Sequence, residues 1–248
     1  MPNSPDKISS CIYYAIGDVH GEVDRLSELH ESIFEHHRFF FENKRCVIVH
    51  LGDYVDRGPD SCGAIEAIMA LEELSHENGE FDVICLKGNH EQLMLDSLED
   101  PESTTMRTWM RPAYGGQKTL ESYTIRGEEG DALRDKHCEW FRQLPVIWRP
   151  EGAPYVFVHA GVDPVLFPNE DDEIYMWTRT AEFFDTERWR SPQLKDAVVV
   201  HGHTPTRGDP EVEGGGRRIN VDTGAVYGGP LTSAVLDPSS SEVTFLST

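Results

Sequence analysis

The sequence predicts an α/β fold that opens on a parallel sheet and closes on a second sheet or a sheet edge. Three observations carry this: short apolar runs rich in β-branched residues recur, helical stripes separate the first three, and the periodicity changes to two after Arg217.

The runs are Ile12 to Ile16, Val47 to Leu51, Val83 to Leu86, Tyr155 to Val158 and Val198 to Val200. Near-continuous apolarity over so few residues is the pattern of a strand covered on both faces. Between the first three, Leu26, Leu29 and Ile33 fall on one helical stripe and Ile65, Ile68 and Leu71 on another, so the chain begins βαβαβ. From about 96 to 150 there are helical signals, a Gly115-Gly116 break and the aromatic anchors Trp109, Trp140 and Trp148, which predicts a helical insertion above the sheet. The stretches RRINVD, TSAVLD and EVTFLS then alternate between turns containing Gly or Pro, predicting antiparallel strands that close a second sheet or a sheet edge. A chain of 248 residues can bury a sizeable core as a single domain, 1–248, without disulfide or metal staples.

Charge narrows the partners. Forty-four acidic against 22 basic residues give a net charge of −22, a field that repels nucleic-acid backbones and anionic membranes. Neither is expected as a partner, and nothing in the sequence indicates an oligomeric state. The cysteines Cys11, Cys46, Cys62, Cys85 and Cys138 are odd in number and contain no CxxC pair, against a disulfide framework or zinc knuckle. Cys46 and Cys85 lie in apolar runs and read as buried thiols. No run approaches the ~18 apolar residues of a membrane span, and the opening MPNSPDKISS lacks a charged region followed by a long apolar one. The expected compartment is the cytoplasm.

What stands at the carboxyl end of each run carries the chemistry. In order these are Gly17-Asp18-Val19-His20-Gly21, Gly52-Asp53-Tyr54-Val55-Asp56-Arg57-Gly58, Gly88-Asn89-His90-Glu91, His159-Ala160-Gly161 and His201-Gly202-His203-Thr204. Ligands of open α/β sheets collect at those ends, so five loops are expected to converge on one rim. Each joins glycine to Asp, His or Asn, as a tight turn delivering a ligating side chain requires. Carboxylate oxygens with imidazole nitrogens suit Mn, Fe, Zn, Co or Ni, and the absence of thiolate argues for an open catalytic site over a closed structural one.

In this order the motifs GDVHG, GDYVDRG, GNHE, HAG and HGHTP resemble the metallophosphoesterase superfamily, which implies its calcineurin-like α/β sandwich of two mixed β-sheets flanked by helices. Within it they resemble the phosphoprotein phosphatase family of Ser/Thr protein phosphatases and symmetrical dinucleoside tetraphosphatases. The match runs from about Ile12 to Leu236. Tyr175-Met176-Trp177-Thr178-Arg179, Asp222-Thr223-Gly224 and Tyr227 to Thr232 look like its bacterial branch.

The resemblance implies two divalent cations, Mn²⁺ first among them, with Asp18 and His20 holding one, Asp53 bridging both, and Asn89, His159 and His203 holding the second. It implies hydrolysis by a metal-bridged hydroxide, with His90 as general acid, Asp56 orienting it, and Arg57 and Arg179 clamping phosphate oxygens. His201, two residues before His203, would face the same side of a strand and competes as a ligand. Glu91 either orients a ligand or simply favours a helix start. His30, His36, His37, His50, His76 and His137 receive no role.

A Ser/Thr-type protein phosphatase is the expected function, and a symmetrical dinucleoside tetraphosphate hydrolase is the alternative. A non-catalytic metal-bound scaffold for phosphorylated partners is the reading from another class. Arg107, Arg111 and Lys118 near Trp109 and Tyr114 could bind a nucleotide or be ordinary helix surface.

Overall fold

The structure is a computed structural model that describes residues 11–248; the opening decapeptide, read above as lacking a leader, lies outside the described residues. In chain order the elements are β1 (Cys11–Ile16), α1 (Val23–Phe40), β2 (Arg45–His50), α2 (Ser61–Asn78) and β3 (Phe81–Cys85), followed by α3 (Asn89–Glu99), α4 (Thr104–Trp109), α5 (Gly116–Thr124) and α6 (Gly130–Gln143). Then come β4 (Ile147–Trp148), β5 (Tyr155–Val158), α7 (Asp172–Trp177), α8 (Ala181–Phe184), β6 (Val198–His201), β7 (Glu211–Glu213), β8 (Arg218–Asn220), β9 (Thr232–Leu236) and β10 (Val243–Ser247).

Two five-stranded sheets form, in the orders β10-β9-β1-β2-β3 and β4-β5-β6-β8-β7. Both are mixed: β1, β2 and β3 run parallel with β9 and β10 antiparallel at one edge, while β5, β6 and β8 run parallel between antiparallel β4 and β7. Alternation along β1 explains its unbroken apolarity. Ile12, Tyr14 and Ile16 pack toward the helices with Leu26, Leu29 and Ile65, whereas Tyr13 and Ala15 meet Phe157, Val200 and Ile219 of the second sheet. A third cluster, around Val156, Val158, Phe183 and Trp189, covers the outer face of that second sheet.

The helices end as their sequences dictate. Asp60 caps α2 by accepting from the Gly63 amide at 2.9 Å, and Gly79 closes it at φ 66. Ser103 caps α4 through the Met106 amide.

One expectation needs correcting. RRINVD is not part of an antiparallel closing run: β8 lies parallel to β6, with Val200 opposite Ile219, and only its other edge is antiparallel, to β7. All three of its residues are buried, so it is an interior strand, and alternation alone does not reveal the direction of its partner. The all-exposed edge strand β7, Glu-Val-Glu, carries no apolar signature to read. TSAVLD and EVTFLS do form the antiparallel pair β9 and β10, at the edge of the first sheet.

Candidate active site

The carboxyl ends of β1, β2, β3, β5 and β6 open onto one rim, and the loops there bring Asp18, His20, Asp53, Asn89, His90, His159 and His203 together, each at most 5% exposed. Every non-glycine residue with positive φ among the described residues lies in these loops: His20, Asp53, Asp56, Arg57 and His203, at φ 44 to 76. Such conformations are costly and persist where the surroundings over-determine them. Two glycines make the loops fit. Gly52 sits at φ 104, and a Cβ on Gly88 would lie 2.2 Å from the Asp53 carboxylate.

Asp53 is the hub. Its Oδ2 is 3.3 Å from His159 Nε2 and 3.6 Å from His20 Nε2, and its Oδ1 accepts from the His90 amide at 3.0 Å. His159 donates Nδ1–H to the Leu51 carbonyl at 3.1 Å, which turns Nε2 toward Asn89 Oδ1 at 2.9 Å and His203 Nδ1 at 3.1 Å. His20 is fixed likewise, its Nδ1 donating to the Val55 carbonyl at 2.6 Å. A carboxylate, an amide oxygen and imidazole nitrogens are therefore crowded together, an arrangement that positive charge among them stabilises. Two groups of potential ligand atoms, each within 4.8 Å, meet this description: His20, Asp53 and His90, and Asp53, His159 and His203. The donor set fits divalent cations.

The charges of the site respond accordingly. Burial works against a charged His159, yet Asp53 more than offsets it and raises the imidazole to about 9. Burial likewise opposes an ionised Asp53, and His159 followed by His90 draws it well below the carboxylate range. Burial pushes His20 and His203 down, the latter to about 2.

His201 is buried as well, but it faces elsewhere. Its Nδ1 donates to the Gly202 carbonyl at 2.9 Å, its Nε2 accepts from Arg218 at 3.1 Å, and its ring packs edge-on to Phe183. It is His203 that the structure brings to the cluster.

Asp18 sits one step back from the donor groups, its carboxylate accepting from the His203 amide at 3.0 Å. Burial and then the neighbouring Asp222 raise its pKa. Asp222, 4% exposed and raised by burial to about 6, is a carboxyl group that received no role from the sequence. Its place two residues beyond β8 obeys the same strand-end rule and was the signal available.

Glu91 is fully buried and accepts four backbone amides: Gly88 at 2.9 Å, Asp53 at 2.8 Å, Tyr54 at 2.7 Å and Val55 at 3.2 Å. It holds the Asp53 loop in place as well as starting α3.

His90 and Asp56 form a buried pair, Nδ1 to Oδ2 at 2.6 Å. Asp56 also accepts from Trp109 Nε1 at 2.8 Å and from Thr119 Oγ1 at 2.6 Å, and its amide donates back to Thr119 Oγ1 at 2.8 Å. Helices α4 and α5 thus reach into the site, and Trp109, fully buried, is bound to Asp56 and does not offer a face to a nucleotide. Replacing Thr119 by the isosteric Val removes one partner from a buried carboxylate. The expected cost is about 1–3 kcal/mol of stability together with a fall in kcat at unchanged metal content; urea unfolding and steady-state rates check it, and an unaltered kcat would remove Thr119 from the positioning of Asp56.

A pocket of about 260 Å³ opens above these groups, lined by Asp53, Asn89, His90, Arg57, Arg179 and Tyr114 among others. Arg57 donates to His20 Nε2 and to the Ala113 carbonyl. Arg179, an exposed residue, is anchored by a 2.8 Å bond to the His203 carbonyl. Of the basic residues noted near Trp109, Arg111 and Lys118 line an adjoining cavity, while Arg107 donates to the Glu102 carbonyl. The arrangement can hold a phosphoryl group between two guanidinium groups, beside acceptors suited to cations and a carboxylate-held imidazole.

The model of the calcineurin-like phosphoesterase family matches residues 13–228. Among curated relatives, the chain is 27% identical over 233 residues to the asymmetrical bis(5'-nucleosyl)-tetraphosphatase PrpE of Oceanobacillus iheyensis, covering 88% of this chain and 86% of the relative. It is 25% identical to serine/threonine-protein phosphatase 1 of Salmonella typhimurium, covering 89% and 90%. A solved protein serine/threonine phosphatase from Saccharomyces cerevisiae shares the fold at a TM-score of 0.60 and 15% identity, over 96% of this chain and 80% of that one. The metallophosphoesterase from Sphaerobacter thermophilus shares it at 0.53 and 17%, over 96% and 87%. With the motifs in order, the donor groups on one rim and a family match over most of its length, the chain belongs to the calcineurin-like phosphoesterase family and is a metal-dependent phosphoester hydrolase.

Proposed function

We propose that this chain hydrolyses phosphate esters and anhydrides at a site holding two divalent cations, with a dinucleoside polyphosphate as the preferred substrate. The observation that carries the chemistry is the convergence of buried acceptors on Asp53 beside the Asp56–His90 pair. Asp53 would serve both cations, with Asp18 and His20 on one side and Asn89, His159 and His203 on the other. Mn²⁺ is the proposed ion, and Fe, Zn, Co or Ni suit the same donors. When bound, such a pair lowers the pKa of a shared water and neutralises phosphoryl charge.

The chain's own residues do the rest. Arg57 and Arg179 orient the phosphoryl oxygens from the pocket wall. With Nδ1 held by Asp56, His90 has Nε2 free to deliver a proton to the leaving oxygen. Glu91 keeps the Asp53 loop from relaxing. The helices from about 96 to 150 act as an insertion that braces Asp56, and an odd set of five cysteines with no CxxC pair suits the cytoplasm.

Two substrate classes stand among the relatives' names. The polyphosphate is preferred because basic side chains gather beside Arg57 in a chain whose net charge is −22. A phosphoserine or phosphothreonine protein, ranked first on sequence, is the second reading and is supported by the Salmonella relative. Metal-stripped protein reloaded with Mn²⁺ is expected to turn over diadenosine tetraphosphate with a higher kcat/KM than a phosphothreonine peptide. The reverse preference would replace the first reading by the second and leave the metal chemistry intact.

A further inference from the structure

We propose that the cavity adjoining the phosphoryl pocket, walled by Arg57, Arg111, Lys118 and Tyr227, is a subsite for a nucleoside phosphate unit, with the base on Tyr227 and the phosphate chain along the cations. The proposal rests on the polyphosphate reading above and names the residues that would select for it.

Size and continuity come first. The phosphoryl pocket has about 260 Å³, whereas the neighbouring cavity has about 660 Å³, within the range of small-molecule sites. Arg57 and Ala113 line both, so a chain of phosphates leaving the first enters the second past the Arg57 guanidinium.

The lining is basic in a chain whose net charge is −22. Arg57, Arg111 and Lys118 face a single acid, Glu121, which pairs with Lys118 at 2.9 Å. Arg111 forms no ion pair among the described residues. The amino terminus of α5 opens here too: Gly115, at φ 88, stands at its cap without a side-chain acceptor for the first amides, and Gly115, Gln117 and Lys118 all line the cavity. The Lys118 amide donates to the Gly115 carbonyl at 2.9 Å, and the helix dipole adds partial positive charge to that of the side chains.

Beside the Arg57 guanidinium stands an aromatic plane. Tyr227, 64% exposed, follows the Asp222-Thr223-Gly224 stretch in a short 3-10 turn, and the Arg57 guanidinium lies 5.8 Å from its ring centroid. Met110 and Val226 add apolar surface beside it. A large aromatic left this open loses hydration favourably when a flat partner covers it, and bases stack on such rings whatever their identity. A nucleoside polyphosphate offers both things the cavity is built for, further phosphates for the cations and a planar base for the ring. A phosphorylated side chain offers only one phosphate, already taken by the first pocket.

The test uses the full chain reloaded with Mn²⁺, with diadenosine tetraphosphate and a phosphothreonine peptide as parallel substrates. Tyr227→Ala and Arg111→Ala are each expected to raise KM for the dinucleotide about tenfold, with kcat changing far less, so that selectivity over the peptide falls by the same factor. Tyr227→Phe, which keeps the ring, should restore most of it. Both replaced side chains are exposed, and unfolding midpoints will show that the variants fold. If the parent enzyme prefers the dinucleotide but both alanine variants keep its KM, the subsite is wrong and the polyphosphate reading stands. If the parent prefers the peptide, that reading fails and the subsite falls with it.

Discussion

Asp53→Asn is expected to lower kcat by about 10³-fold or more and to strip bound metal from the protein. Asp53 belongs to both groups of potential ligand atoms, is 1% exposed, and lies within 3.6 Å of an imidazole nitrogen on either side. Losing its charge would withdraw attraction from both donor groups at once, whereas each of the other donors belongs to one. Asparagine keeps the shape and an oxygen able to accept from the His90 amide, so with metal removed from both proteins the unfolding midpoint should stay near that of the parent. Equilibrium titration with Mn²⁺, read as bound metal per chain, is the measurement independent of turnover. Full activity with both metals retained would overturn the assignment of Asp53 as the shared ligand.

His90→Asn should reduce kcat by about 10²–10⁴-fold while leaving bound metal unchanged. The 2.6 Å bond from Nδ1 to Asp56, itself braced by Trp109 and Thr119, fixes the ring with its other nitrogen toward the site. The structure adds a competing role, because His90 also belongs to the donor group with His20 and Asp53. Metal titration separates the two. Loss of an ion from the variant would make His90 a ligand, and retention with the rate loss makes it the proton donor. Undetectable turnover by the parent on every phosphoester tried would instead favour the non-catalytic scaffold.

Much of this was legible in the sequence because strand-end chemistry is local. A buried parallel strand must be apolar throughout, the turn that follows needs glycine, and a ligating residue placed there reaches the rim whatever surrounds it. Asp18, His20, Asp53, Asn89, His90 and His159 could therefore be named from short motifs, together with the βαβαβ opening. Parallel pairing of β6 with β8 could not, since alternation within RRINVD says which face is buried but nothing of the neighbour's direction.

The same limit applied wherever a role depends on residues far apart in the chain. His201 and His203 are equivalent by spacing, and only the positions of Arg218 and Phe183 turn one away from the cluster. Whether the residues around Trp109 bind a nucleotide or are ordinary helix surface is open in the sequence, and α4 places the indole against Asp56, 53 residues earlier. Glu91 was ambiguous until four amides of two loops were found to converge on it, and Asp222 acquired meaning only beside Asp18. The sequence by itself determined the fold class, the donor types and the rim they share, because these follow from periodicity and turn chemistry. Tertiary structure alone decided which donors meet, what braces them and which cavity adjoins them, because hydrogen bonds and burial are set by neighbours in space.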